Sequence, residues 1–135
     1  MVMTPDNSRV IVAGGFTTLN TVSANGMGSL DATTGAVEPW AANAVLRDGG
    51  SGSAIDTLST DGNQIYGGGF AFETGRFEGT FAANPYAGAV IWANDCHGDT
   101  YGTSPVNGVL YSVSHAHSCQ WIGGYPNSNP WTINM

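Results

Sequence analysis

The stretch TPDNSRVIVAGGF at residues 4–16 decides how this chain is read, because it returns as STDGNQIYGGGF at residues 59–70. Each copy opens on a polar turn around an aspartate, Asp6 or Asp61. Each then runs through β-branched or aromatic residues and closes on Gly-Gly-Phe. A Gly-rich chain that repeats itself is a candidate for an array of like units, each burying a face against its neighbour. Farther on, LDATTGAVEPW (30–40) lines up with AANPYAGAVIW (82–92). There Asp31 matches Asn84, Gly35 matches Gly88, and Trp40 matches Trp92 after a one-residue slip. A third copy opens at SPVNGVLYSVSHAH (104–117), with Tyr111 in the place of Tyr66. The repeats run roughly over 4–45, 59–100 and 104–135 of one domain, 1–135. Their period of about 45–54 residues falls in the range of propeller blades.

The local chemistry agrees. In DATTG the Asp31 side chain can bond the backbone two residues on, and Gly35 can take positive φ, so a turn separates the strand candidates GMGSL and AVEPW. TPDNS, TDGN and PVNG are turn clusters set before β-rich runs, each a hairpin signal. No stretch keeps a helical period over about 11 residues, and the nearest candidate, AANAVLRDGG (41–50), stops at glycines. The expected fold is all-β, built of short antiparallel strands.

VIVAGGF, SLDATTGAVEPW and QIYGGGF together resemble the blades of secreted actinobacterial-type β-propeller proteins, a group related to the quinoprotein-like and kelch-like propellers. The resemblance covers nearly the whole chain, and DCHGDTY…VLYSVSHAHSC resembles one of that group's blade junctions. It implies β-propeller-type blades of four-stranded antiparallel sheets, about two to three of them. It also implies a secreted or cell-surface module that binds a glycan or protein ligand without catalysis of its own. A closed ring takes about four to eight blades, so a partial arc with exposed faces is expected. A homodimer that closes a ring or covers those faces is one solution, and membership in a longer precursor is another. A purely structural assembly arc is a further alternative.

Composition narrows the partners. The formal net charge is -7 at pH 7, and the only cations are Arg9, Arg47 and Arg76. Such a chain has no footprint for nucleic acid and is repelled by anionic lipid. Charged residues make up 10 % of the chain, against about a quarter in ordinary soluble domains, so solubility rests on Ser, Thr, Asn and Gly. No apolar run approaches the roughly 20 residues of a membrane span, and the opening residues lack a signal-peptide pattern. The expectation is an extracellular chain cut from something longer, without membrane insertion.

Both cysteines and all three histidines fall within residues 95–119, DCHGDTYGTSPVNGVLYSVSHAHSC. Cys96 follows the Trp92 strand and Cys119 the first strand of the next copy, so both ends can meet at one rim. A disulfide there closes a loop of roughly 23 residues and contributes about 3 kcal/mol in the chain-entropy model. It also removes both sulfurs as metal ligands; the alternative is two buried thiols. On a strand, His115 and His117 share a face. With His97, Asp95 and Asp99 they form a donor set for zinc or copper, the basis of an alternative function as a small metal-dependent hydrolase or oxidase. His115 also stands where Phe16 and Phe70 stand in the earlier copies, which argues for packing, and no cofactor is expected on that reading.

Catalysis without metal has thinner support. Asp99 with His117, or Asp95 with His97, are acid–base candidates. Ser114 and Ser118 are nucleophiles only if a histidine reaches them. Glu73 and Glu78 would form a glycosidase pair if space brings them to the required separation. The Gly-Gly-Phe triplets mimic phosphate loops but have neither a following helix nor a nearby cation. They are expected to let strands pack closely. Trp40 and Trp92, being repeat-equivalent, are expected in the core. Trp121, Tyr125 and Trp131 in the divergent tail are candidate ligand-binding aromatics for a glycan.

Overall fold

A computed structural model describes residues 1–119. In chain order the strands are β1 (Val2–Met3), β2 (Arg9–Ala13), β3 (Thr18–Leu19), β4 (Val22–Ser23), β5 (Met27–Asp31) and β6 (Val37–Glu38). One turn of 3-10 helix at Ala41–Ala44 follows. Then come β7 (Ser53–Thr60), β8 (Ile65–Ala71), β9 (Gly79–Ala83), β10 (Val90–Asp95), β11 (Thr100–Val106) and β12 (Val109–Ser114). They form a four-stranded sheet β1-β2-β5-β6, a second four-stranded sheet β7-β8-β9-β10, and the hairpins β11-β12 and β3-β4. Every pairing is antiparallel. The architecture is all-β, with two sheets and a half-sheet compatible with blade-like units. The only helix among the described residues is the short 3-10 turn in the segment that came nearest to helical in sequence.

The turns follow from side-chain chemistry. Asp31 Oδ1 accepts from the N–H of Thr33 (3.0 Å) and Thr34 (2.7 Å), and Asn84 Oδ1 does the same for Tyr86 and Ala87, both at 2.9 Å. The backbone bonds match as well: Gly35 N–H donates to the Asp31 carbonyl, and Gly88 N–H to that of Asn84. Asp61 caps the β7–β8 turn in the same manner, accepting from Asn63 and Gln64. Between β11 and β12, Asn107 and Gly108 take φ of 51° and 77°. That is the positive-φ pair a two-residue hairpin turn needs.

Each repeated stretch therefore begins at or beside the turn joining the first two strands of its unit, TPDNS after β1, DGN after β7 and Asn107-Gly108 after β11. The strand before that turn belongs to the same sheet, so the sheets start one strand earlier than the repeats seen in sequence.

The sheets stack face to face. Ile11 and Met27 of the first sheet, with Trp40, Ala42 and Leu46 after it, pack on Ile55, Ile65, Phe81 and Ala83 of the second. Burying each larger aliphatic or aromatic side chain contributes about 1.5–3 kcal/mol against the unfolded chain. The repeated glycines allow close packing on both faces of the second sheet: a Cβ at Gly67 would lie 2.5 Å from the Phe81 ring of the core, and one at Gly68 2.3 Å from a Thr100 methyl of β11. On the other face of the second sheet sits the β11–β12 hairpin, joined through Thr103 Oγ1 to Ser59 Oγ at 2.8 Å.

One core expectation needs correction. Trp40 is buried at 6 % exposure, but Trp92 is 38 % exposed. Trp40 is covered by the second sheet, where the Ala87 carbonyl accepts from Ala41 N–H and Gly88 lies under the indole. Trp92 on β10 packs on Tyr66 at 6.4 Å. It faces the hairpin side, where the third unit has two strands among the described residues rather than four.

Candidate functional site

The disulfide Cys96–Cys119 is present, with Cα atoms 4.7 Å apart. It ties the end of the second sheet to the chain leaving β12. Backbone bonds reinforce the tie: His117 and Ser118 N–H donate to the Cys96 carbonyl, and His115 N–H to that of Asp99. Strand β12 ends at Ser114, so His115 and His117 leave the sheet and do not share a strand face. Their rings instead meet edge to face at 5.1 Å.

The histidine cluster resolves into separate pairs. His97 Nδ1 lies 3.6 Å from Asp95 Oδ1, and His115 Nδ1 lies 3.7 Å from Asp99 Oδ2. The Tyr101 hydroxyl is 2.6 Å from His115 Nδ1 and donates to Asp99 Oδ2 at 3.4 Å. Asp99 thus turns to His115, not to His117 as the sequence had suggested for an acid–base pair. His117 Nδ1 is buried with no hydrogen-bond partner among the described residues. No three His, Cys, Asp or Glu side chains gather as a metal-ligand set among the described residues. Of the serine candidates, Ser118 is buried. Trp121, Tyr125 and Trp131 lie outside the described residues.

A cleft of about 380 Å³ opens beside this junction, between the β8–β9 connection and the turn after β10. Phe72, Glu73, Arg76, Glu78, Asp95 and His97 line it. Phe72 is 80 % exposed, with its ring held 5.2 Å from that of Phe70. The Arg76 guanidinium is fixed by Glu73 Oε2, which accepts from Nε at 3.1 Å and lies 3.1 Å from a terminal nitrogen, and it also donates to the Arg47 carbonyl. Glu78 N–H donates to Asp95 Oδ1 at 3.2 Å, drawing the end of β10 against the start of β9. Burial, then the charge of Asp99, pushes the Glu78 carboxyl above the usual carboxylate range, while a backbone hydrogen bond from Ala71 pulls it back. Asp56 is raised by the same two causes, burial first and then Asp99.

Beneath the neighbouring sheet junction lies Asp48, which the sequence did not single out. It is fully buried, and its Oδ1 accepts from Phe77 N–H at 3.1 Å while Oδ2 has no hydrogen-bond partner among the described residues. Burial pushes its carboxyl up to about 7, and Asp95 and Glu78 add to the rise against the hydrogen bond from Phe77 and the charge of Arg76. A Leu-Arg-Asp-Gly-Gly string in a loop carries no mark of such burial.

The chain matches no known family model, no curated protein and no solved structure. No helix among the described residues is long and apolar enough to cross a membrane.

Proposed function

We propose that this chain is an extracellular ligand-binding module of propeller-type blades, of the kind its repeats resemble, and that it holds a glycan in the cleft without chemistry of its own. The observation that carries this reading is the exposed Phe72 ring standing beside the planar Glu73–Arg76 pair. An aromatic face takes the apolar side of a pyranose ring, and fixed planar polar groups take its hydroxyls. The disulfide supports an oxidising compartment. Screening the protein on immobilised glycans tests the idea. Capture of at least one glycan, lost in Phe72→Ala, is expected; capture unaffected by that substitution would move the site elsewhere.

A metal-dependent hydrolase or oxidase built on Asp95, His97, Asp99, His115 and His117 has less behind it, because these groups separate into two-membered pairs. Elemental analysis for zinc and copper, on wild type and a His115→Ala/His117→Ala variant, tests that alternative directly.

A second reading, an assembly arc, draws on the outer face of the β11–β12 hairpin. Val109, Tyr111 and Val113 stand exposed there beside Val106. Residues 100–114 carry no Asp, Glu, Lys or Arg in a chain of net charge -7. A second copy of the chain is the partner this face suits, since two copies meet there without like charges. Solution mass should then shift from dimer towards monomer in Tyr111→Glu.

A further inference from the structure

We infer that Tyr101 is a site of oxidative phenol coupling, with His115 as the base that takes its proton. The oxidant is of the peroxidase class, working with hydrogen peroxide, and the coupling partner is the ring of a second phenol. Neither the cleft nor its ligand is involved. Three tyrosines stand exposed among the described residues, Tyr86, Tyr101 and Tyr111, at 40 %, 59 % and 61 %. Exposure therefore does not set Tyr101 apart from Tyr111. A base on the hydroxyl does: among the described residues, Tyr101 alone of the three has hydrogen-bond partners there, and the nearer is His115 Nδ1 at 2.6 Å.

Removing an electron from a phenol turns it into a strong acid, so the proton has to leave as well. A neutral imidazole carries one acceptor nitrogen. The 2.6 Å contact assigns that role to Nδ1, with the ring's own proton on Nε2. The reach of 3.4 Å from the hydroxyl to Asp99 Oδ2 lies beyond the ordinary O–H···O range. Asp99 acts one moment later: its carboxylate lies 3.7 Å from Nδ1 and stabilises the imidazolium once the proton has crossed. The acceptor is positioned beforehand, because His115 N–H donates to the Asp99 carbonyl at 3.1 Å and its ring packs on those of Tyr101 and His117. Two phenoxyl radicals then form one carbon–carbon bond ortho to oxygen, and the hydrogens of the joined carbons return to the oxygens. Two electrons and two protons leave in all, and they convert one hydrogen peroxide to two waters. The disulfide fits a compartment in which such oxidants occur.

The whole chain, treated with a haem peroxidase, limiting hydrogen peroxide and excess N-acetyltyrosinamide, tests this by peptide mass mapping. Tyr101 is expected to couple to the small phenol about tenfold more than Tyr86 or Tyr111, the worth of one hydrogen bond to a charged group. His115→Phe should bring Tyr101 down to the level of Tyr111; Phe16 and Phe70 fill the matching place in the earlier copies. His115→Gln keeps an acceptor without a base and should do the same, so the test stays sound if one variant disturbs the hairpin. Equal coupling at Tyr101 and Tyr111, following exposure alone, would overturn the inference. So would Tyr101 coupling that survives both substitutions, or no coupling at any tyrosine. With the small phenol left out, a covalent dimer through Tyr101 would identify a second copy as the natural partner, and monomer alone would place the partner phenol on another molecule.

Discussion

The two faces of the second sheet meet their neighbours by different means. Towards the first sheet, Ile55, Ile65 and Phe81 enter a closed apolar cluster. Towards the β11–β12 hairpin, Thr57, Ser59, Thr100 and Thr103 meet instead, and Thr103 Oγ1 reaches Ser59 Oγ at 2.8 Å and Thr57 Oγ1 at 3.5 Å. A cavity of about 140 Å³ remains between β9–β10 and the hairpin, lined by Thr80, Thr100, Ser112, Ser114 and the disulfide. One junction is held by packing and the other by hydroxyls and a covalent tie. The tryptophans differ in the same way. Trp40 lies under the second sheet and is buried, whereas Trp92 faces the β11–β12 hairpin and is partly exposed.

The sharpest way to break this comparison is to truncate both tryptophans. Trp40→Ala should cost about 3–5 kcal/mol, the range for a buried aromatic, and Trp92→Ala less than about 1.5 kcal/mol. Urea denaturation of the two variants reads this directly; equal losses would mean that the hairpin side is packed as tightly as the other.

Next in size is the pH dependence set by Asp48. Its carboxyl sits at about 7 in the folded chain against an ordinary 3.8. Between those values the folded state keeps a proton that the unfolded state has released. Stability from this group is therefore present below about pH 4, falls as pH rises towards 7, and levels off above. The full change is roughly 4 kcal/mol. Asp48→Asn should flatten it and be the more stable protein at pH 8. Parallel pH profiles of variant and wild type would contradict the assignment.

Removing the tie with Cys96→Ser/Cys119→Ser should cost about 3 kcal/mol. The loss should appear first as faster amide exchange in β11 and β12, with β8 and β9 still protected. Smallest is Thr103→Val, which should cost about 1 kcal/mol by leaving the Ser59 and Thr57 hydroxyls without that partner. A neutral result in the melting temperature would show that water replaces the bond.

How much of this was legible in the sequence depends on how local the signal is. Turns write themselves into a few adjacent residues, so Asp31 with Gly35 and Asn107 with Gly108 mark their strands in advance. Antiparallel sheets and the all-β class followed from that, and the cysteine pairing was expected because Cys96 and Cys119 each follow a strand. SAIDTLST has no such mark, and the strand that opens the second sheet passed unnoticed. Trp40 and Trp92 match in sequence, yet burial is conferred by the next unit, which a match within one unit does not contain. The cleft was invisible for a related reason. Glu73 and Glu78 drew notice as isolated carboxylates, but Asp95 and His97 join them only because β9 and β10 pair, with Gly79 opposite Asp95. The histidines were read as a strand pair, and the strand ended one residue too soon.

Cys96 and Cys119 bracket one hairpin and nothing else, which bears on the order in which the chain assembles. Their loop contains only β11 and β12, whose Asn-Gly turn forms from neighbouring residues. Closing a loop this short carries little of the entropic delay that long-range pairing imposes. This part of the molecule can therefore lock into a register before the two larger sheets have found each other. It would then offer them a preformed edge to dock on, and oxidation would act on the chain as an early folding event and not as a late seal.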